Sequence, residues 1–171
     1  VYNQSFEVLK KIDGSPLTIA DKKANQIITD YLFFKYTIPL LSEENDDIHY
    51  DTRKDWKQLW IIDPLDGTKE FISKRREFTV NIALVEFGKP VIGIIYAPVF
   101  KEMYFAIKGK GSFFQYQSKT TKLKSKSSID FRDKKFASLG NSHLKIILSR
   151  SHSDGFVLED YIQQDNFTIQ A

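Results

Sequence analysis

Apolar and polar positions follow a helical period near the start of the chain and shift to a strand-like period beyond residue 39. Within residues 18–36, Ala20, Ala24, Ile27, Ile28, Tyr31 and Leu32 recur on one face at helical spacing, and Thr18 with Asp21 has capping-box form. One amphipathic helix is predicted there. Residues 39–42 predict a short strand running into the acidic residues Glu43, Glu44, Asp46 and Asp47, with a polar stretch to Lys57 beyond. Residues 59–62 predict a short buried strand that ends at Asp63.

The strongest strand signals lie in the middle: residues 78–86, a turn at Phe87-Gly88-Lys89-Pro90, then residues 91–96 and 102–107. That succession predicts an antiparallel meander. Gly109 and Gly111 punctuate before a further strand at 112–116. The stretch holding Lys119, Lys122, Lys124, Lys126, Arg132, Lys134 and Lys135 is expected to be a solvated loop, with a binding patch as the alternative. Strand character resumes at 144–148, residues 154–164 suggest a helix, and a strand begins at Phe167 just before the chain stops. The fold class expected is α+β, with helices on a largely antiparallel sheet. A first domain is expected over residues 1–142 and the beginning of a second, α/β domain over 143–171. No internal repeat is visible.

Composition narrows the chemistry. With 171 residues, 42% of them apolar, the chain can bury a substantial core. It contains no cysteine, which excludes disulfides, zinc–thiolate sites and thiol nucleophiles and leaves oxygen ligands as the main route to a metal. A formal charge of +3 gives no overall field for nucleic acid, so none is expected as a partner. No apolar run approaches the ~18 residues of a membrane span. A cytoplasmic location is expected, with a peripheral place at the inner membrane face as a variant.

Information concentrates in Trp60-Ile61-Ile62-Asp63-Pro64-Leu65-Asp66-Gly67-Thr68-Lys69-Glu70-Phe71. A buried strand there delivers two carboxylates, three residues apart, into a turn. Asp63 and Asp66 supply oxygen ligands for a hard cation, Pro64 stiffens the loop, and the Leu65 carbonyl can point inward with them. Gly67 allows close approach of a ligand to the backbone. If Thr68 opens a short helix, its amide and that of Gly67 offer donors to a phosphate. Taken as a D-G dipeptide alone, the segment would be an ordinary turn.

The whole string resembles the metal-binding signature of the inositol monophosphatase-like, lithium-sensitive, magnesium-dependent phosphatases. Three further segments match in the same order: Ser15-Pro16-Leu17-Thr18-Ile19-Ala20-Asp21, Leu41-Ser42-Glu43-Glu44 and Ile147-Leu148-Ser149-Arg150-Ser151-His152. The K-E-F after G-T, with S-E-E and S-R-S-H, resembles the 3'(2'),5'-bisphosphate nucleotidase branch more than the inositol monophosphatases, which carry T-N-F and G-E-E. The resemblance implies a layered αβαβα sandwich and hydrolysis of the 3'-phosphate of adenosine 3',5'-bisphosphate to AMP, a by-product-recycling step of sulfur assimilation.

Carried onto this sequence, the resemblance implies that Glu43, Asp63 and the Leu65 carbonyl hold one magnesium and that Asp63 and Asp66 reach toward a second, of two or three ions in all. Asp21 and Thr68 become a water-activating pair. Gly67, Thr68, Lys69 and His152 become substrate contacts, His152 toward the nucleotide. Read from the residues alone, a solvated acidic side chain is the preferred reading of Glu43, a helix cap that of Asp21 and a solvent-facing lysine that of Lys69, while His152 is equally a loop histidine. The family's later G-S-S-L-K-F-type and W-D-T-A-A-G-type segments are absent, so the chain is expected to be a fragment whose parent supplies one further metal ligand and carries the activity. Phosphatases for inositol phosphates or sugar bisphosphates, and a non-catalytic metal- or nucleotide-binding module, are the competing readings.

Overall fold

The computed structural model describes residues 2, 8–10, 16–45 and 47–124 of the chain. These lie in the first of two compact units, Val1–Ser125 and Lys126–Ala171. The strand at 144–148, the helix at 154–164, His152 and the domain boundary expected near 142 all fall outside the described residues.

A small hairpin pairs β1 (Val8–Lys10) with β2 (Pro16–Thr18) and feeds α1 (Ile19–Lys35). The capping box expected from Thr18 and Asp21 is present: the Thr18 hydroxyl accepts from the Ala20 amide at 3.1 Å, and the Asp21 carboxylate accepts from the Thr18 amide at 2.7 Å. The buried side of α1 differs from the apolar stripe of the sequence. Asp21, Thr29 and Leu32 are buried and Ile28 packs on the core, while Ile27 and Tyr31 are 71% and 58% exposed. The helix is rolled by roughly a quarter turn from the hydrophobic optimum. Its inward residues Asp21, Asn25 and Thr29, four apart, all make hydrogen bonds, and the bonds of Asp21 and Asn25 reach other elements.

A seven-stranded sheet has its strands in sequence order: β3 (Leu40–Ser42), β4 (Gln58–Asp66), β5 (Thr79–Glu86), β6 (Lys89–Ala97), β7 (Glu102–Ile107), β8 (Gly111–Tyr116) and β9 (Lys119–Lys122). Only β3 and β4 run parallel, and every later pair is antiparallel. A one-turn helix, α2 (Tyr50–Arg53), which the polar composition of 47–57 did not announce, lies between β3 and β4. The meander is as expected, with two refinements. The β5–β6 turn is only Phe87-Gly88, both at positive φ (49° and 73°), the geometry of a tight hairpin. Pro90 therefore falls inside β6, where a register shift opposite Leu84 and Val85 accommodates a residue with no amide donor.

The beginning of the basic stretch is not a loop. Lys119 and Lys122 stand on the edge strand β9, exposed, with the Lys122 ammonium 5.9 Å from the Phe113 ring centre. Lysine on an edge strand discourages pairing with other chains. The rest of the stretch beyond Lys124 lies outside the described residues.

Alternation along the strands sends Trp60, Ile62 and Leu84 toward α1, where they join Leu32 and Leu40 in the main core. Ile61 and Asp63 take the opposite face. This pairing of a helix layer with a mixed sheet is the α+β arrangement expected from the sequence. No helix among the described residues is long and apolar enough to cross a membrane.

Candidate active site

The parallel pairing of β3 and β4 creates the site. Ser42 lies opposite Ile62, so both strands deliver their next residue, Glu43 and Asp63, at the same end of the sheet. The Glu43 amide donates to the Ile62 carbonyl at 3.1 Å, which holds this alignment past the last strand residue.

β4 does not stop at Asp63, as the sequence suggested, but continues to Asp66. Its register against β5 shifts between the two aspartates, Asp63 pairing with Asn81 and Asp66 with Thr79. Pro64 and Leu65, both buried, occupy this irregularity. The Leu65 amide turns back to the Asp63 carboxylate at 3.1 Å. Gly67 follows at φ 89°, and a Cβ there would lie 2.9 Å from the Glu77 carbonyl oxygen, so the position admits no other residue without movement of the backbone. α3 (Thr68–Ile72) starts at once, its first amides having no partner within the helix. Phe71, 2% exposed, anchors α3 edge-on against Phe78 at 5.0 Å between ring centres.

Asp21 is fully buried at the start of α1, with its carboxylate accepting from the Thr18 amide, the Thr18 hydroxyl and, across 47 residues of sequence, the Thr68 hydroxyl at 3.2 Å. The Thr68 hydroxyl also lies 3.3 Å from the Leu65 carbonyl. Of the residues singled out in the sequence, Asp21, Thr68 and Leu65 are thus joined by hydrogen bonds, and Glu43 and Asp66 are each near enough to act electrostatically on Asp63. Lys69 is exposed on α3, one residue past Thr68, and His152 is not described.

The electrostatics of the carboxylates test whether a cation fits. Burial, then the negative charges of Glu43 and Asp66, push the Asp63 carboxyl up to about 6, with a hydrogen bond to the Glu43 side chain acting the same way and the bond from the Leu65 amide opposing it. Close beside it, Asn81 donates to the Asp66 carboxylate at 3.1 Å, while its own amide oxygen is buried and has no hydrogen-bond partner. Like charges held together next to an unused oxygen acceptor form a donor set that a divalent cation and its water would satisfy. Among the described residues no three acidic or histidine side chains close a metal cage by themselves. Magnesium is commonly held by one or two carboxylates with water and substrate oxygens, so a cage of three such side chains is not required of the site.

Two participants were not singled out from the sequence. Asn81 interrupts the otherwise apolar run of β5, and that polar residue in a buried strand was the available signal. Asn25 lies on the polar inward stripe of α1 and bonds Ser42 and Asn45 on either side of Glu43 and Glu44. Nothing in the sequence distinguished it from an exposed helix asparagine.

Residues 2–159 match the model of the inositol monophosphatase family. The chain is 42% identical over 160 residues to the 3'(2'),5'-bisphosphate nucleotidase CysQ of Shigella flexneri, an alignment covering 93% of the chain and 58% of that protein. Among solved structures it resembles CysQ from Bacteroides thetaiotaomicron, with a TM-score of 0.70, 36% identity, and coverage of 91% of this chain and 58% of that one. A more distant likeness is an IMPase/NADP phosphatase complexed with Mg2+ and phosphate, with a TM-score of 0.59, 26% identity, and coverage of 66% and 43%. The chain therefore spans less than two thirds of the length of these relatives.

Proposed function

The chain belongs to the inositol monophosphatase family, and from that premise we propose that the protein is a magnesium-dependent 3'(2'),5'-bisphosphate nucleotidase, releasing the 3'-phosphate of adenosine 3',5'-bisphosphate to give AMP. The observation that carries the reading is the junction of Asp63 and Glu43 with the Asp21–Thr68 hydrogen bond at one sheet end. The nucleotidase branch is favoured over inositol or sugar phosphatases by the 42% identity over 93% of the chain to the nucleotidase relative, against 26–31% over about two thirds of the chain to solved IMPases.

In this reading Glu43, Asp63 and the Leu65 carbonyl would hold one magnesium, and Asp63 with Asp66 would reach toward a second. The chemistry supplied by magnesium, when bound, is polarisation of the phosphoryl oxygens and generation of a stronger water nucleophile near neutral pH. The Thr68 hydroxyl commits its proton to Asp21 and thereby turns a lone pair toward water. A water aligned opposite the leaving 3'-oxygen would add to phosphorus as the P–O3' bond breaks, giving its proton to the Thr68 oxygen as Thr68 passes its own to Asp21, while the departing 3'-oxygen takes a proton from solvent water to become the ribose hydroxyl. The amides of Gly67 and Thr68 face the charge that builds on the phosphoryl oxygens. Lys69 and His152 are proposed as substrate contacts, the latter toward the nucleotide.

The test is phosphate release by the full-length protein from adenosine 3',5'-bisphosphate and from inositol 1-phosphate, with and without magnesium. Magnesium-dependent turnover of the nucleotide is expected to exceed that of the inositol ester. Preference for the inositol ester would overturn the branch assignment, and turnover that chelation leaves intact would overturn the metal assignment.

A further inference from the structure

We propose that Asn25 is a positioning residue that fixes the Glu43 carboxylate beside Asp63, so that magnesium affinity depends on a side chain that does not itself reach the metal. The inference rests on the metal reading of Glu43 and Asp63 given above.

Glu43 is exposed on the turn that follows β3 and its side chain meets that of Asp63, so the course of that turn sets how the two carboxyl groups approach. That turn is closed by the Asn45 amide donating to the Ser42 carbonyl at 3.2 Å. Asn25 grips both of its ends. Its side-chain oxygen accepts from the Ser42 hydroxyl at 2.7 Å, and its side-chain nitrogen donates to the Asn45 side-chain oxygen at 2.7 Å. The Ser42 hydroxyl in turn lies 3.4 Å from the Glu44 amide. Glu43 and Glu44 therefore sit between two anchor points on one amide.

The base of that amide is equally constrained. Asn25 stands one helical turn after Asp21, on the same face of α1, and its own carbonyl accepts from the Thr29 hydroxyl at 2.8 Å. Asp21 is tied to Thr68 at the head of α3. A single rigid helix thus holds the Asp21–Thr68 bond at one turn and the Glu43 turn at the next. Loss of Asn25 would let the Glu43 turn relax away from Asp63, and the ion would have to pull it back.

The experiment compares full-length wild type, Asn25→Ala and Asn45→Ala for magnesium binding by calorimetry, for magnesium dependence of phosphate release, and for Tm in a chelator. Outer-shell partners of metal ligands typically change metal affinity roughly tenfold to a hundredfold, so both variants are expected to weaken magnesium binding about tenfold or more. Turnover at saturating magnesium should stay within about twofold of wild type, because the Thr68–Asp21 bond does not pass through Asn25. Asn45 is exposed, so its variant keeps the test open if Asn25→Ala fails to fold. Unchanged magnesium affinity in both variants, or a lower Tm in chelator as the sole effect, overturns the inference while wild-type binding leaves the metal reading standing. Failure of wild type itself to bind magnesium overturns both.

Discussion

The two ends of the seven-stranded sheet are built on opposite rules. From β5 to β9 each strand pairs with the next in sequence, so every strand pairing is local, and cross-strand aromatic pairs such as Phe105 stacked on Phe113 (5.1 Å, 17°) and Tyr104 tilted against Phe114 (4.9 Å) reinforce the register. At the other end, β3 and β4 are parallel and separated by residues 43–57, and the site is closed by bonds between residues 47 and 17 apart in sequence. An antiparallel pair would have put Glu43 and Asp63 at opposite ends. Only the parallel crossing brings like charges together, and that arrangement costs stability unless an ion neutralises it. The hairpin end is held by neighbouring strands alone, whereas the β3–β4 end gathers like charges that a cation, or a proton below about pH 6, relieves.

The largest test of that contrast is Asp63→Asn in the full-length protein. It should reduce kcat/KM by about a thousandfold or more, since the lost charge stabilisation amounts to several kcal/mol. The metal-free Tm should hold or rise, because a repelling charge has been removed. A fall in both would mean that the carboxylate serves the fold. Next in size, Thr68→Val should lower kcat by about a hundredfold or more while calorimetric magnesium binding stays near wild type, the pattern of lost proton handling. Equal loss of magnesium affinity would argue instead that Thr68 organises the metal ligands.

Gly67→Ala should cost about 1–3 kcal/mol in denaturant unfolding, because the positive φ and the clash with the Glu77 carbonyl must both be relieved. A neutral result would show that the turn before α3 is compliant. A smaller effect is expected in pH. The Asp63 carboxyl is raised from its ordinary 3.8 to about 6, so its contribution favours the fold below about pH 4 and is lost as pH rises toward 6. In chelator, the Tm of wild type relative to Asp63→Asn should therefore decline over that window, and magnesium should remove the decline. The smallest functional effect belongs to the hairpin end. Phe113→Leu should cost about 0.5–1.5 kcal/mol of stability through the lost stack with Phe105, and should leave kcat and magnesium affinity unchanged. A change in kcat would show that the two ends are coupled.

The local elements are legible in the order of the residues alone. Turn glycines, strand-length apolar runs and the Thr18–Asp21 capping box specify the meander and the start of α1, because those signals act over a few residues. The same holds for the string from Asp63 to Thr68, where glycine at a positive φ and proline in an irregular strand are requirements of one short segment. Tertiary structure decided the rest. The roll of α1, which leaves Ile27 and Tyr31 exposed and buries Asp21 and Thr29, is set by hydrogen bonds from α1 to Thr68, Ser42 and Asn45 that no periodicity encodes. The roles of Asn25 and Asn81 arise in the same way. An amide side chain has no direction in sequence, and it acquires one only when distant strands place a donor and an acceptor within its reach.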